Sequence, residues 1–179
     1  MAAAERDALV ERLARYPAER YPVQHATTQF HLGSVLLHAG EAAAALTALS
    51  SARDGFVRAG MPLEAAKAAV MQGVALRTAG RLDDAAAALT EAGAVLGELG
   101  LPAEQAAAAY DLGLVRQDSG DVDGAYVAWS QARELFLAAG LLAHAAAAAR
   151  DHGACLLATG NSSAARPLLA RALDLAEQA

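Results

Sequence analysis

The side chains in this chain best suited to chemistry are five histidines, one cysteine and a few closely spaced carboxylates. His31 and His38 stand seven apart and His144 and His152 eight apart, so each pair falls roughly on one helix face. Zinc prefers ligands at i and i+4, or from adjacent elements, with a third or fourth protein ligand completing its shell. No cysteine or carboxylate stands at helical spacing beside both members of either pair, so structural or surface roles are expected for all four. Cys155 falls at a position that reads as packing, whereas a reactive thiol needs an electropositive, partly exposed setting. Asp83 with Asp84, and Asp121 with Asp123, could serve as acid–base pairs, but they sit where helices begin. There a carboxylate caps free N–H groups and meets the positive end of the dipole. The glycines form no phosphate loop, since no strand precedes them and no G-x-x-x-x-G-K occurs. With no nucleophile–base pair and no closed metal shell, neither an enzyme nor a cofactor is expected.

Composition narrows the class further. Hydrophobic residues make up 55% of the 179, but aromatics only 4%, and more than a quarter of the chain is alanine. Such a chain buries many small side chains, which suits closely approaching helices. Isoleucine is absent, so a β-rich fold would lack one of its preferred residues. A formal net charge of −6 argues against a nucleic-acid partner, which requires a clustered basic face. No run of about 18 uncharged apolar residues occurs, so no membrane span is expected. A single cysteine permits no intrachain disulfide, and Met1 to Asp7 lacks the pattern of a secretory signal; a cytoplasmic location is the expectation.

The elements that position these residues repeat with a period of 40. Gly33, Gly73, Gly113 and Gly153 form one series, Gly40, Gly80, Gly120 and Gly160 a second, and Gly60, Gly100 and Gly140 a third. A fixed period of this size marks stacked helical hairpins. Pro22, Pro62 and Pro102, with Leu142 in the fourth place, open first-type helices, proline being tolerated where its missing N–H has no partner. The second and third glycine series end helices in a left-handed conformation. Asp83–Asp84, Asp121 and Asn161 to Ser163 stand ready to cap the second-type helices. Within those, Leu49, Leu89, Trp129 and Leu169 keep register, as do Ala52, Ala92, Ala132 and Ala172, and Phe56, Leu96 and Phe136. One step back lie Leu9 and Tyr16, so Ala3 to Tyr16 reads as a second-type helix lacking its partner. The first glycine series lies in mid-helix, where each costs about 1 kcal/mol against alanine, an expense that close helix approach explains.

These sets, Gly33-Leu36-Ala45-Leu49-Ala52 and its counterparts from Gly73, Gly113 and Gly153, resemble the tetratricopeptide repeat over nearly the whole chain. Arg116 departs from the pattern by replacing a packing residue. The period exceeds the family's commonest 34 residues and is similar to the long-helix variants of bacterial regulators and adaptors. The resemblance implies an all-α fold, an α-solenoid of about nine helices in antiparallel hairpins with a right-handed superhelix. Residues 1–179 then form a single repeat domain, with 1–20 as a capping half repeat followed by 21–60, 61–100, 101–140 and 141–179. It also implies a concave groove, lined by first-type helices, that binds a peptide or helical segment of another protein. The groove residues it points to are Phe30, His38, Lys67, Val70, Arg77, Tyr110, Gln117, Asp118 and Arg150. Family members that clamp acidic chaperone tails use paired asparagines with several lysines and arginines. One asparagine, Asn161, and one lysine, Lys67, make that clamp a poor fit.

A non-enzymatic scaffold or adaptor of a bacterial cytoplasm is therefore the leading expectation. The rival is a ligand- or peptide-sensing regulatory module acting with a separate effector. The last hairpin carries Leu168, Leu169, Leu173 and Leu175, which cannot all face inward, so self-association through the C-terminal helix is a further expectation.

Overall fold

The structure, a computed structural model, describes residues 2–179, with side chains from Ala4 onward. Met1, the first residue of the expected half repeat, lies outside the described residues. Nine helices form among the described residues: α1 (Ala2–Arg15), α2 (Pro22–His38), α3 (Ala42–Arg58), α4 (Pro62–Thr78), α5 (Leu82–Glu98), α6 (Pro102–Asp118), α7 (Val122–Ala138), α8 (Leu142–Ala158) and α9 (Ser162–Glu177). Each proline of the 40-residue series takes the first helical position, as its fixed φ favours.

The helix ends show why the glycines recur. Gly60 has φ +68°, donates its N–H to the Val57 carbonyl at 3.1 Å, and lets the Met61 N–H reach back to the Phe56 carbonyl at 3.0 Å. This paired arrangement satisfies carbonyls that the helix leaves without donors, and a Cβ would strain it. Met61 then packs against the cluster that contains Phe56. The same two bonds close the helices before Gly40, Gly80, Gly100, Gly120, Gly140 and Gly160.

The starts of the second-type helices are more varied. Asp121 caps α7, accepting the Gly124 N–H at 2.9 Å, and Asn161 caps α9 through the Ala164 N–H at 3.3 Å. Asp83 and Asp84 lie in the first turn of α5, where Asp84 is held by Arg81 at 2.6 Å. Arg116 turns outward onto the Asp121 carboxylate, 2.9 Å away, which accounts for a cation at a packing position. Pro167 lies inside α9, which begins at Ser162 and runs through it.

The chain divides into two compact units, Met1–Ala88 and Leu89–Ala179, with the boundary inside α5. In the first unit α1 lies against α2, α2 against α3, and α4 against both α3 and α2. Leu32, Leu36, Ala45, Leu49 and Ala75 form one buried cluster; Ala26, Ala52, Phe56, Ala65 and Ala68 form another. In the second unit α7 lies between α6 and α8, and α8 against α9. Its main cluster joins Ala106 and Ala109 to Ala132 and Phe136 and to Ala145, Ala146 and Ala148.

Mid-helix glycines set the approach distances. A Cβ on Gly33 would lie 2.5 Å from Leu49 Cγ, one on Gly153 2.8 Å from Leu169 Cγ, and one on Gly113 would overlap the Trp129 indole, 2.7 Å from its Cε2. At each site a neighbouring side chain would have to shift, which a leucine end does more easily than the Trp129 ring. The cost of glycine within a helix is thus offset by avoided clashes of about 1–3 kcal/mol each. Among the described residues no helix is long and apolar enough to cross a membrane.

Candidate functional site

The sequence-derived site residues all lie on first-type helices, some in each unit. In the first unit, α2 and α4 carry five of them. Phe30 is half-buried and packs against both clusters of that unit, because its position faces the adjoining first-type helix. Val70 and Arg77 are half-buried on α4, while Lys67 is exposed. His38 is exposed in the last turn of α2, where its Nδ1 lies 2.7 Å from the Ser34 carbonyl oxygen and donates to it.

In the second unit, α6 and α8 supply the other four. Gln117 and Asp118 are exposed in the last turn of α6. Tyr110 and Arg150 converge on Asp151, a residue the sequence reading passed over. The Tyr110 hydroxyl donates to Asp151 Oδ2, and Arg150 Nε donates to Asp151 Oδ1 at 2.7 Å. Burial, followed by the hydrogen bond to Asp151 and that group's charge, pushes the Tyr110 phenol up to about 12. The same carboxylate raises Arg150 above its ordinary value. A signal existed for Asp151: it stands 40 residues after Asp111, just as Arg150 follows Tyr110.

Three histidines lie against aromatic rings, and the cysteine is buried. His31 is exposed with its ring against Phe30 (centroids 5.8 Å apart), and His144 against Phe136 at 5.2 Å. His152 is only 2% exposed, edge-on to Tyr126 at 4.4 Å and beside Trp129. Neither of its ring nitrogens, nor the Trp129 indole N–H, has a hydrogen-bond partner among the described residues. Burial, and secondarily Arg133, lowers the His152 pKa, so its neutral ring is favoured. Cys155 is buried in the Trp129 cluster. Among the described residues no three histidine, cysteine, aspartate or glutamate side chains group as a metal set.

The last hairpin keeps part of its apolar surface open. Leu175 is buried, Leu168 and Leu169 are half-buried, and Leu173 is 62% exposed. Between α8 and α9 lies an open cleft of about 430 Å³, lined by Ala146, Ala147 and Arg150 on one side and Leu169, Ala172, Leu173 and Ala176 on the other.

No protein-family model and no curated protein matches the chain. Solved structures do match. A putative kinesin light chain with nearly identical TPR-like repeats from Podosopora anserina superposes with a TM-score of 0.79 at 14% identity, covering 99% of this chain and 88% of that one. Aspartyl phosphate phosphatase F from Bacillus subtilis gives a TM-score of 0.82 at 11% identity, over 87% of this chain and 41% of its own. The Rap conjugation gene regulator of the plasmid pLS20, in complex with a Phr peptide, gives 0.68 at 20% identity, over 86% of this chain and 42% of its own. The present chain thus spans less than half the length of the last two. At such identities the likeness defines the fold: an all-α solenoid of antiparallel hairpins of the tetratricopeptide type.

Proposed function

We propose that the chain is a non-enzymatic interaction scaffold that binds a peptide or helical segment of another protein on the faces of its first-type helices. One observation carries this reading. Phe30 and Tyr110, two periods apart, each hold an aromatic ring half open on such a face, beside buried alanines. Half-buried aromatic rings flanked by cations suit a partner that offers apolar side chains and carboxylates in alternation. Lys67 and Arg77 supply those cations in one unit and Arg150 in the other. An adaptor role in a bacterial cytoplasm is consistent with this chemistry.

The pLS20 neighbour, a regulator in complex with a peptide, favours a second reading in which the chain senses a peptide or small ligand and passes the signal to a separate effector. The two readings separate in one experiment. Affinity capture with the wild type is compared with a Phe30→Ala, Arg77→Ala, Tyr110→Ala triple variant whose helicity is verified by circular dichroism. Loss of a discrete protein partner supports the scaffold. Unchanged capture, with a thermal shift on adding peptide or small-molecule fractions, supports the sensor, because a ligand that binds only the folded state stabilises it by mass action.

A further inference from the structure

We infer that His152 is a proton-sensitive latch between α7 and α8: its neutral ring closes that contact, and on protonation the ring leaves past Tyr126 and the contact opens locally. The slot it fills recurs every 40 residues, one position before the mid-helix glycine, and holds Leu32, Gln72, Leu112 and His152 in turn. A leucine there needs no polar partner. Gln72, the polar occupant in the first unit, finds one on α3, its Nε2 donating to Ser50 Oγ at 2.7 Å. His152 is 2% exposed and has no partner at either ring nitrogen among the described residues. The register puts Ser130 where Ser50 stands, yet it makes no bond to the imidazole. A neutral imidazole so placed leaves one donor and one acceptor unpaired. The cation would leave two donors unpaired and bury a charge, which is the costlier state.

The surroundings do not hold that cation. On α7, Tyr126 stands edge-on at 4.4 Å and Trp129 lies 6.4 Å away, centroid to centroid. Burial, and then the like charge of Arg133 on α7, disfavour protonation of the enclosed ring. Asp151, next along α8, is already engaged by the Tyr110 hydroxyl of α6 and by Arg150. On α9, Ala165 and Leu169 face the neighbouring Gly153. The way out is short. Tyr126 is 49% exposed, so on that side the imidazole is covered by a ring that itself reaches water. Turning these two side chains frees the cation without unwinding either helix. A ring in water binds a proton at about pH 6.5, whereas the enclosed ring resists it. Below that pH the open form therefore gains on the closed one by up to about tenfold per pH unit.

Trp129 is the only tryptophan and is 1% exposed, so acrylamide quenching of its fluorescence reads whether this contact is closed. The full chain is titrated between pH 8 and pH 5, with helicity followed by circular dichroism. Quenching is expected to rise below about pH 6.5 while helicity holds, the open fraction growing by up to about tenfold per pH unit. His152→Leu should remove the rise, and His152→Gln, which copies the residue at Gln72, should remove it too. Tyr126→Ala, which takes away the covering ring, should move the rise to higher pH. Thermal melts at pH 8 verify that each variant is folded. Quenching that changes only together with helicity overturns the inference. So does a rise that persists in His152→Leu or His152→Gln, or one that Tyr126→Ala does not move.

Discussion

Gly113 and Trp129 fit one another across the α6–α7 hairpin: a methyl group on Gly113 would overlap the indole, which is itself fully buried. At Gly33 the corresponding neighbour is Leu49, whose branched end can rotate. Gly113→Ala is therefore expected to destabilise the protein by about 1–3 kcal/mol, despite the helix propensity gained, and Gly33→Ala by less. Urea midpoints of the two variants compare them directly. Adding Trp129→Leu to Gly113→Ala should recover part of the loss.

The Asp121 cap joins two hairpin elements, accepting the Gly124 N–H and pairing with Arg116. Asp121→Ala should cost about 1 kcal/mol, mostly through the lost cap. Asn161→Ala, which removes a longer bond of 3.3 Å at the last helix, should cost less. Thermal denaturation at equal protein concentration ranks them.

His152 should make stability fall on mild acidification. Its pKa in the folded chain is lowered, so below about pH 6.5 the unfolded chain binds a proton that the folded chain resists. The contribution is complete above that value and declines as pH falls from it toward the folded pKa, by at most about 1.4 kcal/mol per pH unit. His152→Leu, which places the residue found at Leu32 and Leu112, should flatten the pH dependence of Tm between pH 7 and pH 5.

Tyr110 should ionise well above the range of an ordinary tyrosine. With its phenol pushed up to about 12 by burial and Asp151, the folded chain keeps a proton that the unfolded chain loses above about pH 10. Its contribution to stability is complete below pH 10 and is lost as pH rises toward 12. Asp151→Asn should lower the Tyr110 midpoint in an NMR titration without removing the whole rise, because burial, its largest cause, remains.

The helices and their caps were legible because periodicity constrains backbone. Proline at Pro22, glycine at Gly40 and the apolar step from Leu49 to Trp129 each reflect a local requirement that recurs every 40 residues. The family resemblance, rather than the register, pointed to Phe30 and Tyr110, and both are half-buried. The register marked Asp151 only as the counterpart of Asp111, because the polar contact between α6 and α8 depends on side-chain reach as well as on spacing. His152 escaped for a related reason: its burial follows from Tyr126 and Trp129 on α7, and a histidine carries no hydropathy that announces an interior position.

The scaffold role is tested most directly by site-specific photo-crosslinking of the captured partner. A photoreactive residue replaces Phe30, Val70 or Tyr110 on the first-type helices, or Val57 or Val127, which are exposed on second-type helices. The expected result is that one partner crosslinks from positions 30, 70 and 110 and not from 57 or 127. Crosslinks from 57 or 127 alone, with none from the first-type helices, would contradict the proposal.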